Sequence, residues 1–329
     1  MLHLSKLKLK YFIPLFLSTA TLCARESFDN YLFAEAPQHP QAWFTGPLLT
    51  PSGHVVPLGH QNYEPYIYWT QTTGEYNSNW APHSRPTFNN VFFQTLLQFG
   101  VLPKTEFDIF PQFTYNETRG EHRWRVSDLP ILLNFQLLYD HVDNWAPGIK
   151  IKIGANIPLG KYDNLKENLY TTDAGGVGSW FPSFGVVFAR MFHISGIHYL
   201  PCRLFLNYSI GTPVNVRGKS VYGGVKQTRG TVYPGNVFLV LASLEYSLSQ
   251  NWALALDIEY QHTNKNRFSG RTPAGTKPVF PSRERFALAP AIEYNWNPNL
   301  GIIAGPWFTV AGRNSRDFIS YVIAFNVYH

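Results

Sequence analysis

Three observations in the amino-acid sequence predict an all-β chain folded as a transmembrane antiparallel β-barrel of the outer-membrane type. Apolar and polar residues alternate along almost the whole chain after residue 60, the connections between these runs alternate in length, and the N-terminus reads as an export signal. Composition points the same way. Aromatic residues are 16% of the 329 residues and charged residues only 15%, whereas soluble domains carry roughly a quarter charged. Such a surface faces something other than water over much of its area. No window after the signal offers about 18 uninterrupted apolar residues, which excludes a helical membrane bundle.

The first element is "MLHLSKLKLKYFIPLFLSTATLCA": Lys6, Lys8 and Lys10, an apolar run from Tyr11 to Leu22, then Ala24 before charged Arg25 and Glu26. The run is too short to cross a bilayer, so residues 1–24 read as a secretory signal peptide. Cys23 raises the question of a lipoprotein, but lipid attachment requires a small residue where Leu22 stands. With Cys23 removed, Cys202 is the remaining cysteine, and no intramolecular disulfide framework is available.

Residues 25–60 are proline-rich and lack alternation. They hold Trp43, Phe44, Leu48, Leu49, Val55 and Val56, too apolar a set to rest comfortably in water. Two readings are open, a periplasmic segment or a plug folded into the lumen.

From residue 61 to 329 the barrel begins. Alternation marks about twelve strands, near 62–73, 87–101, 105–117, 128–140, 148–158, 179–191, 199–210, 236–248, 251–263, 285–296, 300–312 and 317–328; fourteen result if the N-terminal segment contributes a further pair. In "GIKIKIGANIPLG", Ile149, Ile151, Ile153, Ala155 and Ile157 form one edge, and Lys150, Lys152, Gly154 and Asn156 the other. Tight turns "LPKT", "SQN" and "NPN" fall at one end, with "HVDNWAPG" and "HISGIHYL" beside them. Longer polar loops "NETRGEHRWRVS", "KYDNLKENLYTTDAGGVG" and "NKNRFSGRTPAGTKPVFPSR" fall at the other. An even strand number with short periplasmic turns and long outer loops is the barrel pattern. A soluble β-sandwich also alternates, but its second face would carry more charge and fewer small residues than Gly154, Ser183, Gly185, Ala253, Ala255, Ala287, Ala289, Ala291 and Gly305. Trp252, Tyr246, Tyr139 and Trp296 fall at the short-turn end, and Trp180, Tyr115 and Tyr260 toward the other, as candidate interfacial girdles. The last strand places Ile319, Tyr321, Ile323, Phe325 and Val327 on one face. His329 stands where outer-membrane proteins commonly carry the phenylalanine that their assembly machinery reads.

The inward edge carries both signs. Glu106, Asp108, Lys150, Lys152, Arg203, Asp257, Glu259, Arg285 and Glu293 are the candidate lumen-lining residues, with Glu64 and Glu245 beside them. Cross-strand pairing in a polar interior accounts for them, and selectivity along a pathway is the functional alternative. Lys150 and Lys152 sit near the periplasmic mouth, where Glu106 and Asp108 are candidate partners. The loops "TPVNVRGKSVYGGVKQTRGTVY" and "NKNRFSGRTPAGTKPVFPSR" carry Arg217, Lys219, Lys226, Arg229, Lys265, Arg267, Arg271, Lys277 and Arg283 without a carboxylate. Such a rim attracts anionic lipopolysaccharide or steers anionic solutes. Nucleic acid has no support from the fold.

Catalysis has one candidate, His193-Ile194-Ser195, in the pattern of an outer-membrane lipid hydrolase. It falls in a periplasmic turn, whereas attack on outer-leaflet lipid needs a lipid-facing site near the outside. His54 and His60 have no supporting ligand cluster, and neither a metal nor a cofactor is implied.

"LQFGVLPKTEFDIFPQF", "VSDLPILLNFQL", "GIKIKIGANIPLG" and "GGVGSWFPSFGVVFARMF", from Leu97 to Phe192, resemble in order and spacing the MetA-pathway of phenol degradation family of outer-membrane proteins. That family usually has a glycine-aspartate pair before its fourth strand, and here Ser127 precedes Asp128. The resemblance implies a channel for small hydrophobic compounds in the outer membrane of a Gram-negative-type bacterium. The other expectation is a structural or adhesive barrel with a closed lumen.

Overall fold

The computed structural model describes residues 42–140 and 145–329. The expected signal segment, residues 1–24, lies outside the described residues, as do residues 25–41 and part of the expected turn after residue 140.

Alternation produces strands through nearly all of the chain after residue 60: β1 (Gln61–Tyr76), β2 (Pro82–Leu102), β3 (Thr105–Ile109), β4 (Gln112–Thr118), β5 (Glu121–Val126), β6 (Leu129–Leu138), β7 (Gly148–Ile157), β8 (Phe181–Ser195), β9 (His198–Ser209), β10 (Val214–Arg217), β11 (Arg229–Tyr233), β12 (Val237–Ser247), β13 (Trp252–Thr263), β14 (Arg267–Arg271), β15 (Arg283–Asn297), β16 (Leu300–Arg313) and β17 (Arg316–Tyr328). Fourteen of them form one antiparallel sheet, in which β1 pairs with both β2 and β17 and so closes the ring.

β3 and β4 share the partner β2 and make one stave, as β5 and β6 make the next, so the closed barrel has twelve staves. The first break falls at Phe110 and Pro111, where proline has no N–H for the ladder. Thr95 N nevertheless reaches Pro111 O at 3.1 Å. The second break falls at Ser127 and Asp128. Closure matters because an unpaired backbone group has no partner in hydrocarbon. Among the described residues, 42–60 add no stave.

Period two sorts the faces. Ile67, Trp69, Ile153, Leu254, Ile258, Tyr321 and Phe325 are exposed around the outside, while Ala253, Ala255, Ala287 and Ala289 are buried inside. Aromatic groups gather at both ends of the wall: Trp252, Tyr294 and Trp296 near the short turns, and Tyr115 with Trp124 at the opposite end. Tyr139 instead stacks on His54 at 5.8 Å.

Three long connections differ from the expectation of polar loops. "NETRGEHRWRVS" is a hairpin, β4 to β5, with Thr118 paired to Glu121. Arg119 (φ 52) and Gly120 (φ 82) form its two-residue turn, and two positive φ angles are what a type I′ turn requires. The loops after β9 and β13 contribute β10, β11 and β14 to a separate three-stranded sheet. Val214, Val216, Tyr222 and Val232 form its core, against Tyr162 and Val177 of the loop after β7.

Asp128 fastens that loop to the wall. Its carboxylate accepts hydrogen bonds from Gly160 N (2.9 Å), Val177 N (2.9 Å) and Asn156 Nδ2 (3.2 Å). A Cβ on Gly176 would come within 2.0 Å of Asp128 Oδ1, so only glycine permits the approach. The residues flanking the second break therefore set where the outer loop begins.

Candidate functional site

The barrel interior is built in three levels. At the short-turn end, register places Glu106 opposite Asn134 and Asn134 opposite Lys152, with Lys150 opposite Gln136. Lys150 Nζ lies 3.7 Å from Glu106 Oε1, and Lys152 Nζ 3.3 Å from Asp108 Oδ2. Asn134 Nδ2 bridges the two carboxylates at 2.8 Å each. Glu106 and Lys150 are fully buried. Charges removed from water are tolerated only when paired and hydrogen-bonded, and this lattice pairs each of its charges while leaving Asp108 Oδ1 and Asn134 Oδ1 without a hydrogen bond. Arg203 pairs with Glu245 at 2.9 Å, and its strand β9 lies two staves round the wall from Lys150 on β7.

Residues 42–60 run through this level, held largely by their own backbone. Thr45 N donates to Glu293 Oε2 at 2.7 Å. Leu49 N and Thr50 N donate to the Asp257 carboxylate at 3.2 and 3.0 Å, and Thr50 Oγ1 adds a bond of 2.6 Å. Val55 N reaches Gln136 Oε1 at 2.9 Å and Val56 N reaches Glu106 Oε2 at 2.5 Å. In return, Lys150 Nζ donates to His54 O at 2.9 Å. The His54 ring lies 3.1 Å from Asp140. Leu48 is 2% exposed and packs on Ala255, Ala289, Ile303, Val322 and Ala324. The alanines and glycines of the wall leave the space that this segment occupies. Gly100 is the closest case, because a Cβ there would stand 1.8 Å from Pro57 O.

Above the segment lies an aromatic stripe. Tyr66 stacks on Tyr68 (5.7 Å), Tyr68 meets Phe92 (5.9 Å) and Trp307 (6.4 Å), and Trp307 meets Phe318 edge-on (4.8 Å). Apart from Phe318 these rings remain partly exposed inside the barrel. Arg285 covers the upper end of the stripe, its guanidinium 5.4 Å from both the Trp307 and Phe318 rings. The same guanidinium pairs with Glu259, whose other oxygen accepts Trp307 Nε1 at 3.0 Å.

The third level is the outer mouth. A cavity of about 280 Å³ is lined by Thr72, Arg85, Phe88, Arg119, Tyr170 and Arg316, with Lys219 from the outer loop after β9. Its cations come from four separate parts of the chain.

Each candidate residue from the sequence is thus placed. Glu106, Asp108, Lys150 and Lys152 lie in the lower lattice, Arg203 in the Glu245 pair, Asp257 and Glu293 against residues 45–50, and Glu259 with Arg285 beside the aromatic stripe. Sequence reasoning missed the stripe itself. The signal was present, since Tyr66 and Tyr68 share parity with Glu64, and Trp307 with Gly305. His193 and Ser195 stand at the turn into β9, at the short-turn end.

No protein-family model matches the chain, and no curated protein does. The fold is similar to that of an outer membrane channel from Pseudomonas putida F1, with 10% identity and a TM-score of 0.64 over 85% of this chain and 100% of that one. Two further likenesses are fainter. The transport unit of the autotransporter AIDA-I from Escherichia coli has 11% identity and a TM-score of 0.47, over 92% of this chain and 96% of that one. The Ralstonia pickettii toluene transporter TbuX has 10% identity and a TM-score of 0.32, over 87% and 94%. The closed ring, the apolar belt and the first of these likenesses define an outer-membrane β-barrel. Its place is the outer membrane of a Gram-negative-type cell, in contact with membrane lipids.

Proposed function

We propose that the protein is a passive channel for small solutes, hydrophobic ones among them, and that residues 42–60 are a plug closing the periplasmic half of its lumen. The observation that carries this reading is the row of partly exposed rings inside the wall, Tyr66, Tyr68, Phe92 and Trp307. Apolar surface left facing a lumen is costly and is repaid when an apolar solute passes over it. The resemblance to the phenol-degradation family agrees with that substrate class. In the same reading the lower charge lattice is framework and the ion-paired Glu259 and Arg285 border the path. Passage needs no energy source beyond the solute gradient.

The outer sheet carries Arg217 opposite Arg229, and Arg229 opposite Arg271, on its exposed face. Like charges directly across strands repel, and phosphate groups of lipopolysaccharide relieve that repulsion. The outer-membrane assembly machinery is the remaining partner, during insertion.

The test is planar-bilayer conductance of the refolded protein beside a variant lacking residues 42–58. The channel reading expects low conductance from the full protein and a clear increase after deletion. Silence from both, with both folded, favours a structural or adhesive barrel instead.

A further inference from the structure

The outer mouth has a composition unlike the rest of the interior. Below it every buried carboxylate faces a cation or a donor; here Arg85, Arg119, Lys219 and Arg316 line one cavity and no carboxylate does. Glu75 outside the cavity pairs with Arg85 at 3.2 Å. Arg119 lies on the Tyr170 ring, 4.7 Å from its centroid. Among the described residues, the Arg316 guanidinium and the Lys219 ammonium have no ion-pair partner. Arg316 has Arg85, Arg283 and Arg285 within electrostatic reach, against the single carboxylate of Glu75, its cross-strand partner. Gathering like charges between low-dielectric walls is unfavourable for the empty protein and focuses a field that draws anions.

The wall between the cations is partly apolar, with Thr72, Thr118 and Thr171 among its rings. Phe88, Tyr170 and the ring of Pro86 supply flat apolar surface. Phe88 lies opposite Thr72 on β1, and Phe318 lies opposite the same residue from the other side, so the cavity borders the aromatic stripe. At about 280 Å³ it is near the small end of ligand pockets, roughly 300–1,000 Å³. One aromatic ring with a short substituent fits within that space.

We infer that the mouth is a binding site for small aromatic carboxylates, the carboxylate held by Arg316 with Lys219 and Arg85 and the ring set against Phe88 and Tyr170. A guanidinium offers two parallel N–H groups to a carboxylate, which fixes orientation as well as charge. The bound ring then points down the stripe, where the Arg285 guanidinium over Trp307 and Phe318 marks the next cationic step. This names a substrate class for the channel reading, and it rests on that reading only for passage after binding.

The test is calorimetric titration of the full-length protein in detergent with benzoate, acetate, benzyl alcohol and inorganic phosphate. Benzoate should bind saturably, about tenfold or more tighter than each of the other three, a difference of about 1.4 kcal/mol or more, and more weakly as salt rises. Arg316→Gln should weaken benzoate by about tenfold and leave benzyl alcohol unchanged. Lys219→Gln, in an outer loop, should reduce benzoate affinity in the same direction, and it carries the test if the first variant does not fold. Benzoate no tighter than benzyl alcohol, or insensitive to both substitutions, overturns the site. Phosphate binding as tightly as benzoate also overturns it and makes the mouth a general anion site. Because binding is read without transport, a silent bilayer with intact benzoate binding sinks the channel and spares the site, and conduction without benzoate preference does the reverse.

Discussion

Lys150 shows how one residue holds two structures together. Its ammonium, fully buried, lies near Glu106 on the wall and donates to His54 O of the segment. Removing one partner of a buried pair typically costs about 3–5 kcal/mol, because the other charge stays behind. Lys150→Met should therefore destabilise the protein by about that amount in denaturant unfolding from lipid vesicles. The double variant Lys150→Met with Glu106→Gln should recover most of the loss. A single variant as stable as the parent would show that the pair carries little. The inward placement of Lys150, Lys152, Glu106 and Asp108 was legible in the sequence, because a period of two fixes every residue of a strand once one is fixed. Pairing partners were only half legible, since register decides that Asn134 intervenes. Tyr66 and Tyr68 escaped because both faces of "YEPYIYW" carry aromatic residues, so that the parity of Glu64 is the one mark of the inward face.

Among the elements, the N-terminal segment and the outer loops depend on close backbone approaches. Gly100 and His60 exchange main-chain contacts with the segment's end, Gly100 N donating to His60 O and Gly59 N to Gly100 O, both at 3.0 Å. Gly100→Ala would set a methyl group into the Pro57 carbonyl and push residues 56 and 57 away from the wall. Losing the Val56 amide leaves Glu106 buried with one donor fewer, a cost of about 1–3 kcal/mol. Limited proteolysis should then cut within residues 42–60 of this variant sooner than in the parent. An unchanged cleavage pattern would mean that the wall gives way instead. Such long-range approaches leave no local mark in a sequence. The β4–β5 hairpin was hidden for a different reason. Its alternation, His122, Trp124 and Val126 outward against Arg123 and Arg125, lacks the purely apolar lipid-facing stripe that identified the membrane staves. The sheet of β10, β11 and β14 was concealed by shortness, four or five residues per strand.

At the scale of the whole molecule, closure and filling are separable. The ring is completed by β1 against β2 and β17, with Gln61 and His329 exchanging backbone bonds of 2.9 Å. None of those pairings uses residues 42–58. A protein lacking that segment should still refold in detergent to the heat-modifiable, compact form seen on electrophoresis, with a lower melting temperature than the parent. Failure to refold would make the segment part of the folding nucleus of the barrel. Twelve staves, an end with short turns and an end with long connections were all readable in advance, because hydrocarbon imposes length, alternation and parity together. What water permits at the outer end was not, since no such single constraint acts there.

The path of the segment also has a mechanical meaning. Its amides meet Glu293, then Asp257, then Gln136, then Glu106, in the order in which they occur along the chain. Tension applied at residue 42 loads these attachments one after another, like tape being peeled. The staves of the wall, pulled along their length, would share the load over whole ladders. Stripping the segment therefore breaks a few bonds at a time, whereas opening the seam between β1 and β17 breaks a whole ladder at once, so the segment is expected to leave while the ring stays closed.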